Sequence, residues 1–270
     1  MKSYLKIIFA AFLAVFFTGC LGSTTGAGAV GANRTQLLLV SESTMEQSAV
    51  QSYAQVVAQA KQKGALNTDA ATTARVRAIA KKLILQSKVF REDALKWDWR
   101  VNVITDKTVN AWCMPGGKIV VYTGIINTLA LTDAQLAAIM GHEIAHALRE
   151  HSREQASYDQ LRQIGIFAVS QVAGGTAGNL ANLASQYTFT LPFSRSHETE
   201  ADHVGTELMA RAGYDPYEAV AVWQKMEKLS ATSTPEILST HPSHETRIKD
   251  LTEVAKKVYP LYEKAKKSGK

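Results

Sequence analysis

Residues 131–151 read LTDAQLAAIMGHEIAHALREH. Thr132 with Gln135 three residues later forms a capping box, in which hydroxyl and amide close the first helical turn reciprocally. Leu136, Met140, Ile144 and Ala147 then recur at helical spacing, and the pattern predicts one helix from Leu131 to Gln155. HEIAH, residues 142–146, lies inside it. Positions i and i+4 of a helix share one face, a turn apart, so His142 and His146 can reach a single metal ion. Glu143 is turned by roughly 100° from His142, which lets it face a water on the metal without ligating the metal. This is the H-E-x-x-H pattern of zinc hydrolases. Gly141, just ahead of it, costs a helix about 1 kcal/mol relative to alanine, which points to something packed closely there.

A catalytic zinc takes a third protein ligand and keeps one position for water. The stretch SRSHETEADHVG, residues 194–205, offers that ligand. Glu198 and Asp202 are again i and i+4, on a helix predicted from about Ser196 to Ala212 and stopped by Gly213. One carboxylate can bind the metal while the other orients a ligand histidine. Two imidazoles, a carboxylate and a positioned Glu suit hydrolysis with one zinc per chain, although the ligand set alone would also accept non-haem iron. The remaining histidines receive plainer readings. His151 follows His146 by five residues, a rotation of about 140° away from it, so it caps or packs. His197 and His203 point elsewhere on their helix, and His244 reads as exposed.

Around these helices, WDWRVNVIT (97–105) alternates, with Trp97, Trp99, Val101 and Val103 on one face of a strand. AWCMPGGKIVVY (111–122) puts a Pro-Gly-Gly turn between two extended runs. The three runs predict a small antiparallel sheet beside the HEIAH helix, with Lys118–Tyr122 offering an open edge to an extended substrate. Helices are predicted over Thr44–Lys63, Asp69–Lys88 and about Tyr217–Leu229, and a last one is opened by Pro242 and ends before Pro260. The result is a mainly helical α+β domain over 36–258. Residues 156–193 hold a further helical stretch and then GGTAGNLANLASQ, a mobile flap or a surface-lying segment; its apolar part, Ile164–Ala173, is too short to cross a bilayer.

Hydrophobic residues make up 46% of the 270 and charged residues 20%, which excludes a wholly disordered chain and a polytopic membrane protein. Two cysteines exclude a disulfide-stapled small fold and a Cys-rich zinc ribbon. The net charge is +6, yet no dense basic run interleaved with aromatics signals nucleic acid. The basic tail at 259–270 reads as a solvated helix end, with affinity for anionic membranes as a minor second reading. Lys2 and Lys6 precede eleven apolar residues, Ile7–Phe17, the length of a secretory signal's apolar core and short of the roughly 20 that span a bilayer. Thr18, Gly19 and Cys20 then resemble a bacterial lipoprotein signal, with Phe17 where leucine is usual. This implies removal of residues 1–19 and lipid on Cys20, and Leu21 favours the outer membrane. Residues 20–35, rich in Gly, Ala, Ser and Thr, read as a flexible tether. Cys113 reads as a small buried hydrophobe.

Blocks now stand in order along the chain: NAWCMPGGKIVVYTG (110–124), HEIAH (142–146), SRSHETEAD (194–202) and STHPSHETRI (239–248). Together they resemble the zinc metalloproteases typified by the CAAX prenyl endopeptidase and by HtpX-type proteases, over roughly 70–255. The lipoprotein signal places the chain with their periplasmic, BepA-like branch. HEIAH alone is not specific; the blocks in this order are. The resemblance implies a zincin-like domain with Glu198, rather than Glu200, as the third metal ligand and Asp202 beside a ligand histidine. It makes Glu143 the general base toward a metal-activated water, and then the shuttle that carries the proton to the leaving amine. It places His241 at the open metal position, holding the enzyme latent, and Arg247 near the oxyanion. The implied activity is zinc-dependent endopeptidase action on unfolded or misfolded envelope proteins. The implied place is the periplasmic face of the outer membrane, held by the N-terminal lipid, with the outer-membrane assembly machinery as a partner. The alternative is a lipid-anchored periplasmic chaperone or assembly factor with a latent or weak protease site. The intact Glu143 favours the enzyme, because a binding module has no use for that carboxylate.

Overall fold

The computed structural model describes residues 20–173, 192–233, 235–242 and 246–269. The signal at 1–19, the stretch GGTAGNLANLASQ and His244 lie outside them. In chain order, β1 (Leu21–Gly22) pairs antiparallel with β2 (Gln36–Leu37), and α1 (Glu42–Gln62) and α2 (Ala70–Ile84) follow. Ser41 caps α1, and the Asp69 carboxylate accepts the amides of Ala71 and Thr72 at the start of α2. After two 3-10 turns come β3 (Arg100–Ile104), β4 (Ala111–Met114), β5 (Lys118–Tyr122) and α3 (Thr123–Thr128). Next are α4 (Asp133–Leu148), α5 (His151–Ala173) and α6 (Arg195–Arg211). The chain closes with α7 (Tyr217–Ser230), α8 (Glu236–Thr240) and α9 (Arg247–Lys267). The expected mainly helical α+β fold is therefore present, with the predicted capping box at Thr132 and Gln135 formed on both sides. Among the described residues no helix is long and apolar enough to cross a membrane.

The sheet corrects two expectations. Its order is β3-β5-β4, with β3 parallel to β5 and β4 antiparallel to it, so it is mixed and not wholly antiparallel. Only β4 and β5 are joined by a tight turn, the predicted Pro115-Gly116-Gly117, whose glycines take φ of 71° and 81°. Nothing local fixes the direction of β3. The same order puts Lys118–Tyr122 at the centre, so it offers no open edge; β3 and β4 are the edge strands, and β4 lies against α4. The physical reason is legible in KIVVY: Ile119, Val120 and Val121 are all buried, and a strand apolar on both faces belongs inside a sheet.

The predicted helix through Gln155 is two helices. Glu150 takes φ of 49°, a left-handed conformation uncommon for a residue with a side chain. Its carboxylate is held there by Arg91 and Arg153, and α5 restarts in a new direction at His151. At the other end of the chain, α9 begins at Arg247, beyond Pro242, and continues through Pro260 to Lys267, so 259–267 is not a separate tail. Pro260 is exposed, which leaves the carbonyl it cannot bond open to water, while Leu251, Val254, Ala255, Val258 and Ala265 keep the opposite face buried.

Residues 20–35 also depart from expectation, for they are packed against the body. The Ala29 and Val30 amides donate to Glu207 Oε2 at 2.7 and 3.0 Å. The Arg149 guanidinium, fully buried, donates to Ser23 Oγ, Thr25 Oγ1 and the carbonyls of Ala32 and Arg34. A Gly-, Ala- and Ser-rich composition suggests a tether because it has few apolar side chains to bury. Here the body binds the segment through backbone groups and small hydroxyls, which composition does not register.

α6 is sandwiched between α4 and α9. Where α4 and α6 cross, a Cβ on Gly141 would lie 2.9 Å from the Gly205 carbonyl oxygen, and one on Gly205 would lie 2.7 Å from the His142 nitrogen. The close packing expected at Gly141 is thus backbone against backbone. Gly205→Ala should cost about 1–3 kcal/mol, as overpacking does. The measurement is the denaturant midpoint at constant slope; an unmoved midpoint would mean that the helices separate freely.

Candidate metal centre

The Gly141–Gly205 crossing sets α4 and α6 close enough for short side chains to meet. His142 Nε2 and His146 Nε2, one turn apart on α4, converge to 3.1 Å. Glu198 of α6 brings Oε2 to 3.5 Å from His142 Nε2 and Oε1 to 3.3 Å from His146 Nε2. His241, just after α8, places Nδ1 3.0 Å from Glu198 Oε1 and 3.3 Å from His142 Nε2. One donor atom from each of these four residues lies within 4.8 Å of the others, and all four are buried. Glu143 is buried beside them; its Oε1 is 3.5 Å from His241 Nε2 and has no hydrogen-bond partner. Imidazole nitrogens and a carboxylate converging on one point are the donor set of a catalytic zinc, so the residues present fit such an ion.

The supports of this cluster are as well defined as its donors. His142 Nδ1 lies 2.9 Å from Asp202 Oδ1. Arg247 grips Asp202 with Nε and Nη2 at 2.7 and 2.8 Å, and its Nη1 lies 2.8 Å from Glu198 Oε2. The guanidinium carbon sits 3.3 Å from the centre of the Trp223 ring, a cation–π contact. Arg247 is only 1% exposed, and its donors are aimed at carboxylates. This arrangement makes it a clamp on Asp202 and Glu198, where the sequence suggested a group free to meet an oxyanion.

Burial and neighbouring charge divide the titratable groups. Burial pushes Glu143 up, which suits a proton acceptor. Against burial, the Arg247 charge and the His142 hydrogen bond hold Asp202 down. Glu198, also against burial, is held far below the carboxylate range by His142, His146 and His241. Burial would lower His142, but Asp202 and Glu198 outweigh it and raise the imidazole to about 9. Burial drives His146 well below its ordinary value. The Cys113 thiol is pushed up by burial, in keeping with an inert packed residue.

Spacing misjudged His151. Because Glu150 breaks the helix, the ring does not turn away: its Nδ1 is 2.9 Å from His146 Nδ1, and its Nε2 is 3.0 Å from Glu200 Oε2. His197 stacks on His151 with 4.5 Å between centroids and bonds Glu154, and Phe193 stacks on His146 at 4.0 Å. His203 pairs with Asp250, away from the cluster. No periodicity in the sequence signals the His151–Glu200 contact, since it depends on a break at Glu150 that Arg91, far away in the chain, holds together with the nearby Arg153.

A histidine pair on one helix, a glutamate from a second and a buried base beside them define a zincin-like metallopeptidase domain. Residues 70–255 match the model of Peptidase family M48, and the chain belongs to that family. It is 40% identical over 157 residues to the mitochondrial metalloendopeptidase OMA1 of Arabidopsis thaliana, covering 57% of this chain and 31% of the relative. Over 184 residues it is 34% identical to the OMA1 of Schizosaccharomyces pombe, covering 67% of this chain and 52% of the relative. The beta-barrel assembly-enhancing protease of Escherichia coli is 28% identical over 185 residues, covering 64% of this chain and 38% of the relative. The chain thus spans about a third to a half of the length of these relatives.

A ligand imidazole must be neutral, and His142 holds its proton up to about 9. Metal affinity should therefore climb roughly tenfold per pH unit from neutrality to about pH 9 and level off above it. Competition with a colorimetric chelator reads this directly; a flat profile would show that His142 is already neutral.

Proposed function

We propose that the chain is a zinc-dependent endopeptidase in which His142, His146 and Glu198 hold one zinc ion and Glu143 is the general base. The observation that carries this reading is the Glu143 carboxylate, buried beside the ligand cluster with Oε1 unpartnered. A buried polar atom left without a partner is costly, and proton transfer is a use that explains it. Zinc bound here would polarise a substrate carbonyl and bring the pKa of a water toward about 7. Asp202 accepts the hydrogen bond of the His142 Nδ1–H and so keeps Nε2 bare toward the metal. Arg247 holds Asp202 and Glu198 in place. Glu143 accepts a proton at Oε1 and delivers it to the leaving amine.

An extended substrate would pair with the edge of β4, beside α4, through backbone hydrogen bonds. Such pairing selects unfolded or flexible chains more than a particular sequence. Unfolded or misfolded envelope proteins fit this preference. The lipoprotein-like signal at Cys20 supports a place at the periplasmic face of the outer membrane, in the BepA-like branch. Outer-membrane assembly machinery is the partner we infer, and the Escherichia coli relative, by its name an enhancer of beta-barrel assembly, supports an assembly role. His241 fills the ligand cluster and approaches Glu143, which supports a resting state closed by this imidazole. That same contact favours the second reading, a chaperone or assembly factor with a latent site.

Glu143→Gln should retain about one zinc per chain while cleavage of unfolded casein falls by at least about 10²-fold, the usual share of a general base. Wild-type rates in that variant would sink the mechanism. His241→Ala should cleave casein faster than wild type. If neither protein cleaves any unfolded chain, the chaperone reading replaces the enzyme.

A further inference from the structure

The two ligand histidines are supported differently, and the longer of the two supports reaches the N-terminal segment. His142 leans directly on Asp202, which Arg247 clamps. Among the described residues, no carboxylate meets His146 Nδ1; another imidazole, His151, does, and a carboxylate lies beyond that. Resting on the metal reading above, we propose that His151 and Glu200 are positioning residues for His146, and that Arg34 and Arg149 hold Glu200 in place, so that segment 21–37 is part of the metal centre.

A metal needs His146 Nε2 bare, so the ring proton sits on Nδ1 and requires an acceptor. His151 Nδ1 stands 2.9 Å away. Accepting there obliges His151 to carry its own proton on Nε2, where Glu200 Oε2 receives it at 3.0 Å. A single assignment of protons satisfies all three groups, and reversing it would put the His146 proton on the metal-facing nitrogen. The rotation of the His146 ring is fixed further by Phe193 stacked on its face.

Glu200 is itself tied down. Arg34 donates from Nε to Oε1 at 2.6 Å and from Nη2 to Oε2 at 3.1 Å, and Arg149 adds Nη2 at 3.1 Å. Arg34 reaches Glu154 as well, and Gln36 joins Glu154 to the Arg149 carbonyl. Arg149 in turn is fastened by Ser23, Thr25 and the carbonyls of Ala32 and Arg34. Apart from Arg149, at the junction of α4 and α5, every residue in this series outside α4, α5 and α6 belongs to the N-terminal segment. Its displacement would release Glu200 and let the His146 ring turn.

The test is zinc affinity of the full chain, measured by chelator competition. Partners of ligand histidines are worth about 10- to 100-fold in metal affinity. His151→Phe keeps a ring against His197 but offers no acceptor; it should weaken zinc by that factor. His151→Asn is smaller but places an oxygen near the lost Nδ1, and it should recover most of the affinity. A purely packing role for His151 predicts the reverse order, Phe tight and Asn weak, and that order would overturn the proposal. Arg34→Met, at a partly exposed position far from the ion, should weaken zinc several-fold and shift the visible bands of the cobalt-loaded protein. Wild-type affinity and bands in Arg34→Met would remove the N-terminal segment from the centre. Failure of the wild-type chain to bind zinc would overturn the metal reading itself, a different result from equal affinities across the set.

Discussion

Backbone touches backbone where Gly141 meets Gly205, and the metal centre is laid out from that contact. Helices in proteins ordinarily pack with axes about 8–10 Å apart because side chains stand between them. Removing both Cβ atoms at the crossing lets α6 settle onto α4 just beside His142. Asp202 lies one turn before Gly205 and Glu198 two turns before it, so short carboxylates can reach imidazoles on the facing helix. The ligand geometry is therefore a consequence of two residues that have no side chain.

Closing the helices this tightly buries several charges, and the structure matches each to a counter-charge. Arg247 lies between Asp202, Glu198 and the Trp223 ring. Arg149 is matched by Glu200 and by the carbonyls and hydroxyls of the N-terminal segment. Buried ion pairs of this kind contribute little net stability, since desolvation offsets their attraction, but losing one partner is destabilising by about 3–5 kcal/mol. What they supply is orientation. A carboxylate gripped by both oxygens cannot swing, so an imidazole bonded to it keeps one tautomer and one angle.

The parts of this arrangement that were legible in the sequence are the local ones. The capping box, the i and i+4 spacing of HEIAH, the Glu198–Asp202 pair and the cost of Gly141 are each decided within one or two turns of chain. The order of the strands is not local: β3 joins β5 in parallel over an intervening hairpin, and only the apolar faces of KIVVY hint at the central place of β5. The break at Glu150 is imposed by Arg91 and Arg153, so a rotation counted along an unbroken helix sent His151 the wrong way. The contacts of Arg247 were not legible because its partners come from α6 and α7, elsewhere in the chain. Residues 20–35 looked like linker because, Arg34 apart, they are bound through backbone groups, which every residue carries, and through the small hydroxyls that are common in linkers.

That segment also decides how the domain can be mounted. The Leu38 amide bonds the Cys20 carbonyl at 2.8 Å, so residue 20 is already fastened to the body. With the proposed lipid on Cys20, no leash would separate bilayer from enzyme. The cleft would stand at a set height and tilt, like a tool bolted to a bench, and polypeptides would have to be delivered to it within a thin layer above the lipid.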